Sequence, residues 1–547
     1  MRRFLSCLIC CGLFLLMSCT KNSIDQGLKE ITTGRLRHYV AVLSDDSLAG
    51  RGPSTKGDLL ATSYIASEFK AMGLEPAGES NFYFQQVPMI GISVKPFSLD
   101  LRKGANSISL KFVDDFVGFS GTHDKSVILK DIEVVFVGYG IEAPEQNWDD
   151  YKGYDVKGKI LLMLNDDPPS GDPSFFGGKG RTYYGRWTYK FEIASRKGAL
   201  GAIILHTTPT AGYPFQVWQS SWSREQFDLE GDATAPLKLK GATTEEATRR
   251  CIAMAGFDLS KLQQDATQKT FKPVPLGIKL SATMKISARR LETRNVVGVL
   301  RGSDPGLSKQ YVVFSAHHDH LGVGRPVRGD SIYNGALDNA SGISMMLNMA
   351  RAFSIMNPRP KRSLVFAAVA AEEYGLLGSQ YYANHPTVPL KDIVANINTD
   401  GMNIWGKTSD ITFLGWERSS LKEDVEAVAR ELQMMISPDA YPEKGFFYRS
   451  DHFNFAKVGI PSLSYEPGGV FVGKPGDYAK EVKQKYEEQN YHQPSDELTG
   501  DWVFDGAMND CEFILRLALR LAEKSDLPMW NKGDEFEAGR LKALGKM

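Results

Sequence analysis

The sequence predicts an α/β protein: a mostly parallel, doubly wound sheet flanked by helices, with a smaller β-rich α/β domain inserted into it. Two observations lead to this fold class. After about residue 290, short buried strands alternate with amphipathic helices, which is typical of a parallel sheet covered on both faces. Between about residues 96 and 285, short β-rich runs are separated by Gly, Pro and Asp. A chain of 547 residues has room for both domains.

The first 19 residues predict a lipoprotein signal. Two arginines precede an apolar run from Phe4 to Met17, and this run is too short to span a bilayer, which needs about 20 apolar residues. The sequence LMSC at residues 16–19 resembles a bacterial lipobox, so we expect a lipid on Cys19. The protein would then be exported and anchored in the cell envelope, facing the periplasm or on the outer-membrane surface. An ordinary cleaved signal with an incidental cysteine is the alternative.

The composition is that of a globular protein without a strong net charge. Hydrophobic residues make up 42% of the chain, and 64 Lys and Arg nearly balance 65 Asp and Glu. We therefore expect no nucleic-acid partner and a small molecule or peptide as the ligand. Only Cys251 and Cys511 lie outside the signal segment. They are too few for a disulfide framework or a thiolate metal site, although one bridge between them is left open.

Residues 20–95 form the first part of the main domain in this interpretation. The segment GDLLATSYIASEFKAMGLEPAG has helical spacing, and Gly73 ends the helix. The apolar positions with this spacing are Leu60, Tyr64, Ile65, Phe69 and Met72. Residues 96–285 form the inserted domain, in which FEIASRKGALGAIILHT predicts a helix that leads through glycines into a buried strand.

Residues 286–547 form the larger part of the main domain. The runs QYVVFSA, SLVFAAVA and DIVANINT predict buried strands, and GISMMLNMARAF, YGLLGSQYYANH and LKEDVEAVARELQM predict helices. Ligands of such sheets bind outside the carboxyl ends of the strands. His, Asp and Glu occur at these ends in SAHHD, AAEE and NTD, in the helix-opening loop GALDNASG and in the later loop YHQPSDE.

These polar residues predict a centre with two metal ions. Each motif alone is a weak signal, because such residues are usually turn formers, helix caps or solvated charges. Together they place histidines and several carboxylates after buried strands, where an uncompensated carboxylate is unfavourable. The set exceeds what one tetrahedral zinc ion needs and suits two cations that share a carboxylate. The histidines disfavour calcium and magnesium, so we expect two zinc ions, with cobalt or manganese as alternatives.

Six motifs resemble, in their order, the co-catalytic dizinc exopeptidases, a family that includes bacterial secreted aminopeptidases and glutamate carboxypeptidase. They are SAHHDHLG, GALDNASG, AAEEYGLLGS, NINTDGMN, YRSDHF and YHQPSDE. LAGRGPSTKGDLLATSYIASEFKAMGLEPAG is similar to the family's N-terminal segment, and WDDYKGYDVKGKILLML resembles the protease-associated domain inserted in many members. The resemblance covers nearly all of the chain after the signal. It implies the zinc exopeptidase fold and the release of N-terminal residues from peptides.

The resemblance also implies a set of zinc ligands. His317 and Asp400 would hold one zinc ion, and Glu373 and His492 would hold the other. Asp338 would bridge the two ions.

Within SAHHDHLG, the resemblance implies that Asp319 orients His317 as a second-layer partner. Strand geometry supports the choice of histidine, because residues 317 and 319 project to one side of an extended chain and residue 318 projects to the other. We expect His318 and His320 to line the cleft or to satisfy local hydrogen bonds.

For the chemistry, the resemblance implies a bridging water activated by the two zinc ions, with Glu372 as the general base that takes its proton and passes it to the leaving amine. Tyr448 matches a position at which some aminopeptidases of the family stabilise the oxyanion. A packed aromatic ring in a loop is the alternative for Tyr448.

Three other functions are compatible with these motifs. A carboxypeptidase or dipeptidase on the same scaffold would need a cationic clamp for the substrate carboxylate, and Arg449 is the candidate. A single-zinc aminoacyl cyclase is disfavoured by the complete two-metal ligand set. A non-catalytic peptide-binding receptor is disfavoured for the same reason, since such relatives usually have substituted ligands.

Overall fold

A computed structural model describes residues 23–172, 175–231 and 236–546. The predicted lipoprotein signal, with Cys19, lies outside the described residues. None of the described helices combines the length and apolarity needed to cross a membrane. Cys251 and Cys511 are both buried free thiols, so the bridge left open by the sequence is not formed.

The strands are, in chain order, β1 (Glu75–Pro76), β2 (Phe84–Val94), β3 (Ser98–Lys103), β4 (Asn106–Lys111), β5 (Phe116–Phe119), β6 (Ser126–Phe136), β7 (Glu142–Ala143), β8 (Trp148–Asp149), β9 (Ile160–Leu164), β10 (Gly201–His206), β11 (Gln226–Leu229), β12 (Leu239–Thr244), β13 (Val274–Leu300), β14 (Tyr311–His317), β15 (Gly322–Val327), β16 (Asp330–Tyr333), β17 (Ser363–Val369), β18 (Ile393–Thr399), β19 (Asp410–Leu414), β20 (Met435–Ile436) and β21 (Ser462–Pro467).

The helices are α1 (Thr33–Leu43), α2 (Lys56–Ala71), α3 (Trp187–Arg196), α4 (Thr208–Ala211), α5 (Phe215–Trp222), α6 (Glu245–Met254), α7 (Leu259–Ala266), α8 (Ser341–Ile355), α9 (Leu377–Asn384), α10 (Leu421–Leu432), α11 (His452–Lys457), α12 (Tyr478–Gln489), α13 (Asp505–Glu523) and α14 (Glu537–Ala543).

The chain divides into two compact units, which we call the core unit and the insert unit. The described residues of Pro88–Leu291 and Tyr441–Arg449 form the insert unit, and the other described residues form the core unit. The sequence placed the boundaries of the insertion at residues 96 and 285 and did not anticipate the second stretch. That the insert unit is of the protease-associated type stays a prediction.

The core unit contains a sheet with four parallel strands in the order β17–β14–β18–β21. Strand β13 runs antiparallel beside β17, and β19 runs antiparallel beside β21. Every residue of β14, β17 and β18 is buried, because helices cover both faces of the sheet. The predicted α/β fold class is therefore confirmed.

Alternate side chains of β14 pack on opposite faces of this sheet. Phe314 belongs to the cluster that includes α8 and α13, and its ring lies 6.1 Å from that of Phe353. Val313 packs on the other face, in the cluster that contains Tyr382 of α9 and Phe455 of α11. Side chains at both odd and even positions of the strand are therefore buried and apolar. This explains why these strands appear in the sequence as unbroken hydrophobic runs.

The predicted helix in the N-terminal segment is observed as α2. It begins after Thr55, whose side chain accepts a hydrogen bond of 3.3 Å from the Asp58 N–H. It ends at Ala71, and Gly73, two residues later, has φ 75° and donates its N–H to the Lys70 carbonyl over 3.0 Å.

The insert unit has its own sheet, in which β6, β9, β10 and β12 are parallel neighbours. Strand β5 runs antiparallel beside β12, and the first part of β13 runs antiparallel beside β6. The predicted helix and buried strand of FEIASRKGALGAIILHT are observed as α3 and β10.

Candidate metal centre

The parallel register of the core sheet brings the carboxyl ends of three strands together. His317 is the last residue of β14 and lies opposite Val369, the last residue of β17. A short connection after β17 leads to Glu372 and Glu373, and Asp400 follows β18 directly. The strand ends predicted from the sequence therefore meet at one edge of the sheet.

His317 contacts two of the predicted ligands with a single nitrogen. Its Nε2 lies 3.1 Å from Oδ1 of Asp400 and 3.3 Å from Oδ1 of Asp338. The three residues each offer one ligand atom within 4.8 Å of the others. An imidazole and two carboxylates in this arrangement can hold one divalent cation.

A second group forms around the other oxygen of Asp338. His492 Nε2 lies 3.3 Å from Oδ2 of Asp338 and 2.9 Å from Oε2 of Glu373. Asp338 thus directs Oδ1 to one group and Oδ2 to the next, which is the geometry required of a carboxylate that bridges two metal ions.

The electrostatics of the cluster follow from burial and from close contacts between opposite charges. Burial lowers the pKa of His317, but Asp400 and Glu372 outweigh it, so that the net pKa lies well above its usual range. Burial likewise opposes the charged forms of Glu373 and His492, yet their contact leaves Glu373 with a pKa of about 2 and His492 with one of about 10. Protons on the imidazoles therefore balance these carboxylates, and a metal ion would displace such protons.

Glu372 lies next to Glu373 in the chain, and its carboxyl is close enough to His317 and Asp400 to feel their charges. Its N–H donates to Oδ1 of Asp319 over 3.1 Å, and the preceding residue, Ala371, has φ 52°. Burial raises the pKa of the Glu372 carboxyl well above its usual range, and like charges such as Asp400 add to the effect while His317 opposes it. A carboxyl that accepts a proton more readily than usual is suited to general-base chemistry.

Asp319 is completely buried behind His317. Nδ1 of His317 lies 3.2 Å from the main-chain oxygen of Asp319 and 3.7 Å from its Oδ1. The main-chain oxygen is thus the nearer acceptor. Both atoms can hold the imidazole in the orientation that directs Nε2 to Asp338 and Asp400.

The two remaining histidines of the motif point in different directions. Nε2 of His318 lies 3.1 Å from the Arg294 carbonyl, and its Nδ1 lies 3.7 Å from Oδ1 of Asp58, so His318 faces away from the cluster as expected. Nδ1 of His320 instead lies 2.6 Å from Oε1 of Glu373. His320, Asp338 and Glu373 form a second group of ligand atoms within 4.8 Å of one another.

The contact between His320 and Glu373 is short but does not have hydrogen-bond geometry. Among the described residues, neither Nδ1 of His320 nor Oε1 of Glu373 has a hydrogen-bond partner, although both are buried. Buried polar atoms of this kind are suited to binding a water molecule or an ion. The imidazoles and carboxylates of the cluster are donors that zinc accepts, so the residues fit a zinc centre.

Tyr448 belongs to the insert unit. Its side chain is buried, and its ring lies 6.2 Å from that of Tyr183 and 5.2 Å from that of Phe447. These contacts match the alternative of a packed aromatic ring, and an oxyanion role stays a prediction.

The sequence did not single out two buried charged residues that contact the Asp338 loop. Arg51 lies in LAGRGPST and Asp496 lies in YHQPSDE, two motifs noted in the sequence. Arg51 donates hydrogen bonds to the carbonyls of residues 334 and 335, and Asp496 accepts hydrogen bonds from the N–H groups of residues 337 and 338. A charged residue inside a motif is a signal for such a role, but its partners are distant in sequence.

Comparison with known proteins supports this description of the core unit. Residues 295–512, which contain β14, β17, β18 and all the predicted zinc ligands, match the model of Peptidase family M28. This part of the chain belongs to peptidase family M28. The resemblance predicted from the six motifs is thereby confirmed.

Individual relatives of the M28 segment are aminopeptidases and carboxypeptidase homologues. Aminopeptidase YwaD of Bacillus subtilis is 30% identical over 190 residues, which is 34% of this chain and 38% of that protein. A glutamate carboxypeptidase 2 homolog of Caenorhabditis elegans is 26% identical over 315 residues, or 49% of this chain and 37% of that protein. The alignments thus span less than two fifths of each of these relatives.

The overall fold is similar to that of a solved aminopeptidase from Aneurinibacillus sp. strain AM-1. The TM-score is 0.51 and the sequence identity 18%, and the similarity covers 92% of this chain and 97% of the other. At this level of identity, the likeness concerns the fold.

Proposed function

We propose that the protein is a two-zinc exopeptidase that removes N-terminal residues from peptides. The observation that carries this proposal is Asp338, whose two oxygens face two separate groups of imidazole and carboxylate ligands. His317 and Asp400 would hold one zinc ion, and Glu373 and His492 the other. Cobalt or manganese are the alternative metals.

Zinc ions at these positions would supply Lewis-acid polarisation of the substrate carbonyl and a lowered pKa for a nearby water molecule. Glu372 would take the proton of the attacking water and return it to the leaving amine. Asp319 supports both functions, because it accepts the Glu372 N–H through Oδ1 and contacts Nδ1 of His317. One buried residue thus contacts both groups, the imidazole through its main-chain oxygen and the Glu372 N–H through its carboxylate.

Two observations favour an aminopeptidase over a carboxypeptidase. Of the two relatives described above, the bacterial aminopeptidase has the higher sequence identity, 30% against 26% for the carboxypeptidase homologue. Arg449, the candidate clamp for a substrate carboxylate, lies with its guanidinium 4.9 Å from the ring of Phe446 and 5.1 Å from that of Tyr213. A guanidinium that stacks on aromatic rings is already engaged. Carboxypeptidase activity is still the alternative to test, because one relative is a glutamate carboxypeptidase 2 homolog.

Two experiments test this function directly. Elemental analysis of the purified protein should give two zinc ions per chain. A set of short peptides with free or acetylated N-termini and free or amidated C-termini should be cleaved only when the N-terminus is free. Cleavage that requires a free C-terminus would identify a carboxypeptidase, and no cleavage of any peptide by the zinc-loaded protein would contradict the proposal.

The cellular location is a separate proposal. A lipid on Cys19 would place the peptidase at a membrane of the cell envelope, where short extracytoplasmic peptides are its substrates. Mass spectrometry of the mature N-terminus checks this, since an unmodified cysteine would exclude lipidation.

A further inference from the structure

Arg51 is a buried guanidinium whose donors all go to main-chain carbonyls of the core unit. It donates from Nε to the His318 carbonyl over 2.9 Å, from Nη1 to that of Asn334 over 2.6 Å and from Nη2 to that of Gly335 over 3.0 Å. Nη1 also donates to the carbonyl of Leu43. One side chain thus ties the end of β14 to the loop that leads to Asp338.

Asp496 contacts the same loop from its amide side. Oδ1 accepts the Leu337 N–H and Oδ2 accepts the Asp338 N–H, each over 3.0 Å. The main-chain oxygen of Asp496 accepts the N–H of Ala336, also over 3.0 Å. Three successive amides of the loop are therefore bound by one residue, which lies in the same segment as His492.

The loop has no room for a side chain at position 335. Gly335 has φ 57°, and a Cβ atom there would lie 2.2 Å from the Asp338 carbonyl oxygen and 2.5 Å from Cγ of His320. The chain therefore folds back tightly just before Asp338.

We propose that Arg51 and Asp496 are a pair of positioning residues that hold residues 334–338 from opposite sides, so that one Asp338 carboxylate serves both metal sites. Arg51 binds the carbonyls of the loop and Asp496 binds its amides, so the cation and the anion each meet the complementary end of the peptide dipoles. Both side chains bond to main-chain atoms of the loop, and neither is among the proposed zinc ligands. This inference rests on the proposed two-zinc function.

The arrangement predicts that substitution of either residue weakens the binding of both zinc ions. In Asp496→Asn, the side-chain amide can accept from only one of the two N–H groups, because its NH₂ group is itself a donor. In Arg51→Lys, the charge remains but the fork that binds several carbonyls is lost. We expect each variant to lower the affinity for both ions by about tenfold to 100-fold, the usual effect of removing an outer partner of a metal site.

The experiment is a titration of the zinc-loaded protein with a chromophoric chelator that counts the ions released at each step. Arg362→Lys is the matched control. Arg362 is also buried and also donates to carbonyls of the core unit, those of Leu521, Ser525 and Asp526. It directly precedes β17, at the end of the sheet away from the cluster. Its substitution should leave zinc release unchanged.

A second measurement separates positioning from a general loss of structure. With saturating zinc, Asp496→Asn should recover its kcat, and its KM should equal that of the wild type at all zinc concentrations, because the residue acts only through Asp338. If Arg51→Lys does not fold, Asp496→Asn alone decides.

Two results would overturn the inference. Unchanged affinity for both ions in Asp496→Asn would show that the loop needs no such support, and loss of a single ion would show that Asp338 is not positioned for both sites. A wild-type protein that binds fewer than two zinc ions would instead contradict the proposed function, and this inference would fall with it.

Discussion

The core and insert units contain similar sheets but very different strand ends. In both, four parallel strands lie side by side, and polar residues follow their carboxyl ends. In the insert unit, Asp166 pairs with Arg181 over 2.9 Å, and Asp167 accepts from the N–H and hydroxyl of Thr182. In the core unit, acids and imidazoles converge instead on Asp338. Among the described residues, groups of metal-ligand spacing occur only there.

The difference shows that the sheet supplies an edge and that the residues after the strands decide its chemistry. An acid paired with its own arginine is structurally satisfied. Acids that share imidazoles around a common point still have ligand atoms to offer.

The contrast between the two units is tested most sharply by substitution of Glu372, the proposed general base in the core unit. Glu372→Gln keeps the shape of the side chain but cannot accept a proton, so kcat should fall by about 10²-fold to 10⁴-fold while two zinc ions stay bound. Peptide hydrolysis and elemental analysis measure both quantities. Glu245→Gln, at the start of α6 in the insert unit, is the control with an unchanged kcat. A rate near that of the wild type for Glu372→Gln would exclude its role.

Zinc should stabilise one unit and leave the other unaffected. At a free zinc concentration about 100 times the dissociation constant, a single site adds about 2.7 kcal/mol to the free energy of unfolding. Hydrogen exchange with and without a chelator should show this change in peptides from β14 and β18 of the core unit. Peptides from β9 and β10 of the insert unit are the internal control. Equal changes in both sets would contradict a metal centre confined to the core unit.

The insert unit should instead lose stability in acid through His206. Burial among aromatic rings, the nearest of which is that of Phe215 at 5.2 Å, lowers the pKa of His206 to about 4. An unfolded chain binds the proton near pH 6.5, so the folded state is favoured above that pH and loses this advantage as the pH falls toward 4. The full loss is about 3 kcal/mol.

Hydrogen exchange of β10 at neutral and acidic pH measures this loss. His206→Gln should remove most of the pH dependence. His385→Gln, at an exposed histidine, should keep it. The same pH dependence in all three proteins would show that another group is responsible.

The smallest effect is expected at His320. Nδ1 of His320 contacts Glu373, whereas Nε2 of His492 contacts both Glu373 and Asp338. His320→Gln should therefore weaken the binding of one zinc ion by about tenfold, equal to about 1.4 kcal/mol. His492→Gln should release that ion altogether. Chelator titration of both variants measures the zinc affinity of each. Equal losses of affinity would show that His320 is as important a zinc ligand as His492.

Much of the fold could be predicted because its signals are local. Unbroken apolar runs became β14, β17 and β18, and the helical spacing after Thr55 became α2. The strand-end rule then placed His317, Glu373 and Asp400 at one edge without knowledge of any contact.

Other features depend on contacts between residues far apart in the chain, for which a single sequence has no periodicity. Tyr441–Arg449 belongs to the insert unit although it follows the predicted insertion by more than a hundred residues. The carbonyl contacts of Arg51 and the approach of His320 to Glu373 arise from loop paths that only the folded chain defines.

The support of Asp338 from Arg51 and Asp496 also has a consequence for biosynthesis. Arg51 and Gly335 are 284 positions apart, and Asp496 and Leu337 are 159 apart. A ribosome must therefore extend the nascent polypeptide past residue 496 before the bridging carboxylate is fixed. The proposed metal centre can therefore form only once nearly all of the core unit is available for folding.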